Sequence, residues 1–422
     1  MGPRLRRLRA APAAAWALLV LFPVPGLAQR EAPAALLAAA RAVSREVAAI
    51  RRLEWLRPVD FQVSDRATIR RFAQASLDRE MTPDQWAAYQ ALLQHNGLLP
   101  AGVDLRDLVV RLYAEQVAGY YEPARKTFYL ADWLPRLIQR AVVAHEATHA
   151  LQDQHHDLVG WMAEVGPTED GALARAAVIE GDAMLAMLAY LLGPMGARPE
   201  RLPDVGQLLA GQAGAVGQGF PTFAAAPPGL QRLFLFPYVE GSAFVQAGLR
   251  HGGWAAIDSL YADPPASTEQ ILHPERYWGA RDPPRPAGLP AGVAGEPWIT
   301  GSWGEVGVQI VLAAALADTA AVRGAAQGWD GDRYALYKRD GAPAFAWTLL
   351  WDTPQDAERF ARAYAQAAVR RFPGPARLTT GIGRFAFEAA DRRLDLRWSG
   401  DRVEVRENLD PARLGGEAMG RP

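Results

Sequence analysis

Seven histidines occur among the 422 residues. Two of them stand four apart, with a glutamate after the first, in Ala141-Val142-Val143-Ala144-His145-Glu146-Ala147-Thr148-His149-Ala150-Leu151-Gln152. Residues four apart share one face of an α-helix, so His145 and His149 can offer ring nitrogens to a single ion about 2.0–2.1 Å away. Glu146, one residue off that face, can reach past the ion toward an attacking water and is the candidate base. The four residues before His145 are apolar, and nothing there compensates a buried imidazole beside a carboxylate unless an ion does. The alternative is a helix whose two histidines merely stack and bond to backbone or water. Cysteine is absent, so disulfides and thiolate ligation are excluded, and any metal must be held by imidazole and carboxylate. Zinc suits that donor set.

A catalytic zinc needs a third protein ligand, and two downstream acids compete for the place. Glu169 follows Thr168, a plausible N-cap, and sits with Asp170 in a first helical turn, where acids favour the helix dipole without any metal. Glu180 lies in Ala176-Ala177-Val178-Ile179-Glu180-Gly181-Asp182-Ala183-Met184, and its helical neighbours Ala176, Ala177, Ala183 and Met184 are apolar. A carboxylate on such a stripe needs a cation or a dense set of donors, so Glu180 is preferred. Gly181 beside it weakens a helix by about 1 kcal/mol, which points to another backbone approaching closely. Asp182 can orient a ligand histidine through its second ring nitrogen or be a solvated helix acid. His155 and His156 lack the spacing to join the ligand set while the helix continues.

These residues need elements to hold them. Helical spacing predicts an amphipathic helix over 32–52, a helix opened by Thr82-Pro83-Asp84, and helices over 135–154 and 169–192. Aromatic arms around a Pro-containing turn predict a β-hairpin over 117–131. Residues 193–230, rich in Gly, Pro and Ala, read as loop with short helical pieces. A helix follows over 237–260, then a short one over 267–273 with a Ser267/Gln270 capping box. Residues 279–297 hold five prolines and four glycines, a linker composition. Beyond it, alternating helical and strand patterns predict a small α+β unit over 298–422, in which aromatics such as Trp329, Tyr334 and Trp347 read as core. The expected fold is α+β, predominantly helical, with a catalytic domain over 29–278.

The segment HEATHALQDQHHDL followed by a helix carrying VIEGDA resembles the zincin metallopeptidases, in the branch whose third zinc ligand is glutamate. With STEQILHPERY at 267–277 and the late GWDGDRYALY, the chain is similar to a family of uncharacterised bacterial exported proteins of metallopeptidase type. The resemblance covers most of the mature chain. It implies a zincin-like domain, Zn2+ as cofactor, a peptide or protein substrate and Glu146 as general base. It also implies that the hairpin at Tyr120 and Tyr121 is the edge strand pairing with substrate. His273, Tyr121 and Tyr238 are candidates for the oxyanion donor, with His273 favoured by its place in the family-like STEQILHP segment. One departure stands out: the studied glutamate-zincins carry Asp four residues after the ligand Glu, where this chain has Met184 after Glu180 and Leu173 after Glu169.

Arg4, Arg6, Arg7 and Arg9 precede an apolar run ending at Gly26-Leu27-Ala28, the pattern of a secretory signal peptide cut after Ala28. An uncleaved anchor is the alternative. The expectation is an exported protein, periplasmic or extracellular, without a membrane span after signal removal. A formal charge of −1 offers no field for phosphate backbones, so nucleic acid is not an expected partner. Two functions are expected to compete: a zinc metallopeptidase, and a catalytically inactive metallopeptidase-fold binding protein of the cell envelope.

Overall fold

The computed structural model describes residues 17–19, 33–122, 125–131, 134–165, 168–291, 293, 295–339, 341–372, 374–389 and 392–409. The expected signal peptide at 1–28 lies outside the described residues, except for Ala17–Leu19. The chain runs β1 (Ala17–Leu19), α1 (Pro33–Arg51), β2 (Asp60–Ser64), α2 (Arg66–Glu80), α3 (Pro83–His95) and α4 (Leu105–Gln116). It continues through β3 (Val117–Glu122), β4 (Thr127–Ala131), α5 (Arg136–His156), α6 (Leu158–Ala163), α7 (Glu169–Leu192), α8 (Val205–Gly219) and α9 (Pro221–Ala225). Next come α10 (Pro228–Ala262), α11 (Thr268–Leu272), α12 (Glu275–Trp278), β5 (Ile299–Gly301), α13 (Gly304–Ala313) and α14 (Thr319–Ala326). The last elements are β6 (Trp329–Tyr337), β7 (Ala344–Trp351), α15 (Pro354–Arg371), β8 (Arg377–Gly381), β9 (Arg384–Glu388), β10 (Arg393–Ser399) and β11 (Arg402–Glu407). The fold is α+β and predominantly helical, with a sheet-rich C-terminal unit.

Helix α7 is the axis of the helical part, with α1, α5 and α10 packed around it. By length and composition Glu169–Met195 could cross a membrane, but two-thirds of its most apolar window is buried against these helices. Its crossing with α10 is made by glycines. A Cβ on Gly181 would stand 2.2 Å from the Gly241 carbonyl oxygen, and one on Gly241 would stand 2.3 Å from that of Ala177. Only residues without side chains let the backbones come so near. Helix α8 is longer than the Gly-rich composition of 193–230 predicts. Asp204 caps it by accepting from the Gln207 N–H, which offsets part of the cost of its glycines.

Beside α5 lies a four-stranded sheet in the order β1-β3-β4-β2, with β2 parallel to β4 and the other pairs antiparallel. The hairpin β3–β4 is therefore internal to the sheet. Ala17 pairs with Tyr120 and Leu19 with Val117 on its outer side. The C-terminal unit is a seven-stranded antiparallel sheet in the order β5-β6-β7-β11-β10-β9-β8, with α15 across one face. Trp347 packs edge to face against Phe360 and Tyr364 between sheet and helix.

The Pro/Gly-rich segment 279–297 has no regular structure, yet it is pinned. The Arg285 N–H donates to the Asp330 carbonyl at 2.7 Å, its guanidinium donates to the Trp351 carbonyl at 2.9 Å and it pairs with Asp401 at 2.9 Å. The Asp282 carbonyl accepts from Gln270 at 3.0 Å. A free linker has no such donors; this one is a strap along the C-terminal sheet.

The two parts meet across a buried polar seam. Asp170 accepts from the Thr268 N–H and hydroxyl at 2.8 and 2.6 Å. Asp332 accepts from the Ser302 hydroxyl, the Trp303 and Gly304 N–H groups and the Trp347 indole at 2.7–3.0 Å. His95 and Glu407 pair at 2.8 Å with both side chains buried. The STEQILHPERY and GWDGDRYALY segments meet here.

Candidate metal centre

On α5 the two histidine rings stand edge to face, their centroids 4.6 Å apart. Their Nε2 atoms are 3.0 Å from one another. Glu180 of α7 closes the set, its Oε2 lying 3.1 Å from His145 Nε2 and 3.5 Å from His149 Nε2. Atoms coordinated about 2.0–2.1 Å from a tetrahedral ion lie about 3.3 Å from each other, so the three separations fit one ion. The chemistry of the atoms fits as well. Two imidazole nitrogens and a carboxylate oxygen are all lone-pair bearers, and packing three together away from water needs a cation or a proton. The histidine and glutamate side chains are almost wholly buried, Glu180 alone keeping 5 % of its side chain exposed.

The acid–base properties follow from that enclosure. Burial and the neighbouring His149 lower His145 to about 4. Burial also works against the charge on His149, but Glu180, its hydrogen bond and Glu146 outweigh it and raise the ring to about 9. The two histidines in turn hold Glu180 down at about 2 against the opposing effect of burial. In the absence of a metal the cluster therefore keeps one proton as its cation.

Glu146 points off the ligand face toward β3, where its Oε2 accepts from the Tyr121 N–H at 2.8 Å. Tyr238 of α10 stacks on His145 with ring centroids 6.4 Å apart and hydrogen-bonds Glu180, and burial followed by that carboxylate's charge pushes its phenol well above the ordinary range. It stays a neutral donor beside the ligands.

Asp182 does not face solvent. Its carboxylate is 2.6 Å from Arg51 Nε and accepts from Gln152 Nε2 at 2.9 Å and the Tyr261 hydroxyl at 3.2 Å. Gln152 Oε1 in turn lies 2.9 Å from His149 Nδ1. Neither Gln152 nor Arg51 was among the residues singled out from sequence. The position of Gln152, three residues after His149, places it near the same helix face and is a readable signal; Arg51 offers none.

Two expectations need correction, and the acid passed over as third ligand lies elsewhere. Glu169 is not at the cluster: it accepts from the Tyr89 hydroxyl at 2.5 Å and the Ser302 N–H at 3.2 Å, within the seam. Its donors satisfy it without a metal. His273 is engaged elsewhere, its Nε2 2.9 Å from Glu305 Oε2. It lines a separate cavity of about 1180 Å³ whose walls include none of His145, Glu146, His149 and Glu180. Tyr120 and Tyr121, expected on an edge strand that pairs with substrate, lie on an internal strand covered by β1, and both side chains are buried. Tyr120 is buried in a stack with Phe72 and Tyr129, and the buried Tyr121 hydroxyl donates to Asp153 at 2.8 Å. Only the Tyr121 backbone reaches the centre.

Beyond the motif, His155 lies 2.8 Å from the Glu54 carbonyl and His156 stacks on Tyr261 at 4.0 Å. Glu269, Asp282 and Asp352 form a second convergence of acids, and Arg276 supplies their counter-charge.

Residues 298–416 match the model of a domain of unknown function (DUF8575), which begins where the Pro/Gly-rich strap ends. No curated protein and no solved structure matches the chain.

Proposed function

We propose that this chain is an exported, zinc-dependent metallopeptidase of the zincin type that hydrolyses amide bonds in a peptide or protein substrate. The observation that carries the reading is the convergence of His145, His149 and Glu180 within ion-binding separation, with Glu146 beside them and not among them. A structural zinc has no use for that extra carboxylate.

His145, His149 and Glu180 would hold the ion. Bound there, zinc supplies Lewis acidity that acidifies water and polarises a carbonyl. Glu146, steadied through Oε2 by the Tyr121 N–H, takes the proton from the attacking water and returns it to the departing amine. Of the three oxyanion candidates Tyr238 alone stands beside the ligands, stacked on His145, and its hydroxyl, hydrogen-bonded to Glu180, would have to turn toward the oxyanion. The leader bears on access. Strand β1 lies on the outer edge of β3 and against α5, and cutting after Ala28 would remove it. Strand β3 would then offer an open edge beside Glu146 for an extended substrate.

The near-complete burial of the cluster favours a second reading, a metal-holding module of the cell envelope without turnover. One comparison separates them: purified residues 29–422 and the Glu146→Gln variant, each analysed for zinc and incubated with a broad peptide mixture. The peptidase reading expects near-stoichiometric zinc in both and a roughly 10²- to 10⁴-fold loss of cleavage in the variant. Zinc in both with cleavage in neither supports the second reading. A natural chain that takes up no zinc ends both.

A further inference from the structure

Behind His149 the hydrogen-bond donors and acceptors can be counted. A glutamine amide carries two N–H groups and one oxygen. Gln152 Nε2 lies 3.0 Å from the Ile179 carbonyl and 2.9 Å from Asp182 Oδ2, two acceptors that use both of its hydrogens. Asp182 is fully buried and is itself held by cations and donors: Arg51 Nε at 2.6 Å, Arg51 Nη2 at 3.1 Å and the Tyr261 hydroxyl at 3.2 Å. Turning the amide over would set its oxygen against a carboxylate and a carbonyl in a fully buried site, and each of those would lose its donor. The orientation is therefore forced, and the oxygen must face His149 Nδ1 at 2.9 Å. An oxygen there requires a hydrogen on Nδ1. The Nε2 lone pair is then left for the side that faces Glu180 and His145. Neighbouring heavy atoms thus settle the ring's hydrogen placement.

The far end of the relay lies on the first helix. Arg51, the last residue of α1, is wholly buried, stacks over Trp254 at 4.5 Å and pairs with Asp258 at 2.8 Å as well as with Asp182. His145 has no counterpart, its Nδ1 having no hydrogen-bond partner among the described residues.

We infer that Gln152 is a positioning residue for the metal centre: clamped by Asp182 and the Ile179 carbonyl, with Arg51 closing the relay, its amide fixes the hydrogen of His149 on Nδ1 and presents Nε2 as a ligand. The inference rests on the metal reading above. Outer partners of ligand histidines fix ring orientation and raise basicity.

The test uses the full chain and Gln152→Met, which keeps the bulk and removes the amide. Zinc affinity, measured by competition with a chromophoric chelator, falls by about 10- to 100-fold in the variant; an unchanged affinity overturns the inference. Nitrogen-15 spectra of the histidine-labelled natural chain, with and without zinc, give a second readout that does not depend on the variant folding. They show hydrogen on His149 Nδ1, and a ring bearing hydrogen on Nε2 alone overturns the inference. A natural chain that binds no zinc defeats the proposed function, whereas its metal-free spectrum recorded well above pH 9, where the ring is neutral, still decides the relay.

Discussion

On helix α7 the half-buried Glu169 and the buried Glu180 stand three turns apart and are satisfied in opposite ways. Glu169 meets the Tyr89 hydroxyl and the Ser302 N–H, and its neighbours Asp170 and Asp332 likewise meet hydroxyl, backbone and indole donors. Burial raises all three acids, Asp170 to about 7. Glu180 meets two ring nitrogens and is held down at about 2. A carboxylate ringed by donors is a structural tie. One that faces lone pairs calls for a cation, and the difference lies in the partners.

The largest expected effect separates the two acids directly. Glu180→Ala should cost more zinc affinity than the roughly 10- to 100-fold loss of an outer partner, while Glu169→Ala leaves zinc content unchanged after dialysis. Equal zinc loss in both variants would break the distinction. Next, Glu407→Ala strands Arg371 and His95 in the seam. Removing one partner of such a buried pair costs about 3–5 kcal/mol, read as a lower denaturation midpoint with zinc retained.

Proton competition sharpens the comparison further. With His149 raised to about 9 without metal, zinc must displace one proton. Its apparent affinity should then weaken by about tenfold for each pH unit below 9, as measured by titration in buffers of fixed ionic strength.

The smallest effect runs the other way. Asp170 holds its proton to about pH 7 in the fold, where burial disfavours the charge, but only to about 3.9 when unfolded. Between these values the folded state binds more protons, so stability falls as pH rises from about 4 to 7, by at most about 1.4 kcal/mol per pH unit. Asp170→Asn should flatten the slope of a denaturation series across that window; a slope unchanged by the substitution would assign it to another group.

What could be read from the chain was local. His145 and His149 share a face because of their spacing, and Glu180 is conspicuous because its helical neighbours are apolar. Thr82 beside Pro83 and the Ser267/Gln270 pair are short-range signals, and the structure has the Gln85 and Gln270 N–H groups donating to the Thr82 and Ser267 hydroxyls. Partners distant in sequence left no such trace. Nothing near Glu169 announces Tyr89 or Ser302, and the parallel pairing of β2 with β4 joins segments more than sixty residues apart. STEQILHPERY and GWDGDRYALY look like reactive-site motifs, yet Thr268 and Asp332 serve the seam. Polar residues committed to long-range ties and polar residues committed to chemistry look alike in one dimension.

The glycine crossing between α7 and α10 acts as the gauge of the reactive geometry. Gly181 and Gly241 leave no room for a methyl group between the two backbones, while Glu180 and Tyr238, one and three residues away, bear the groups that must touch. A single added carbon at either glycine would act as a wedge and lever the phenol away from its carboxylate while leaving every polar side chain of the centre chemically intact. The tolerance of the site is thus set by two positions that carry no functional group.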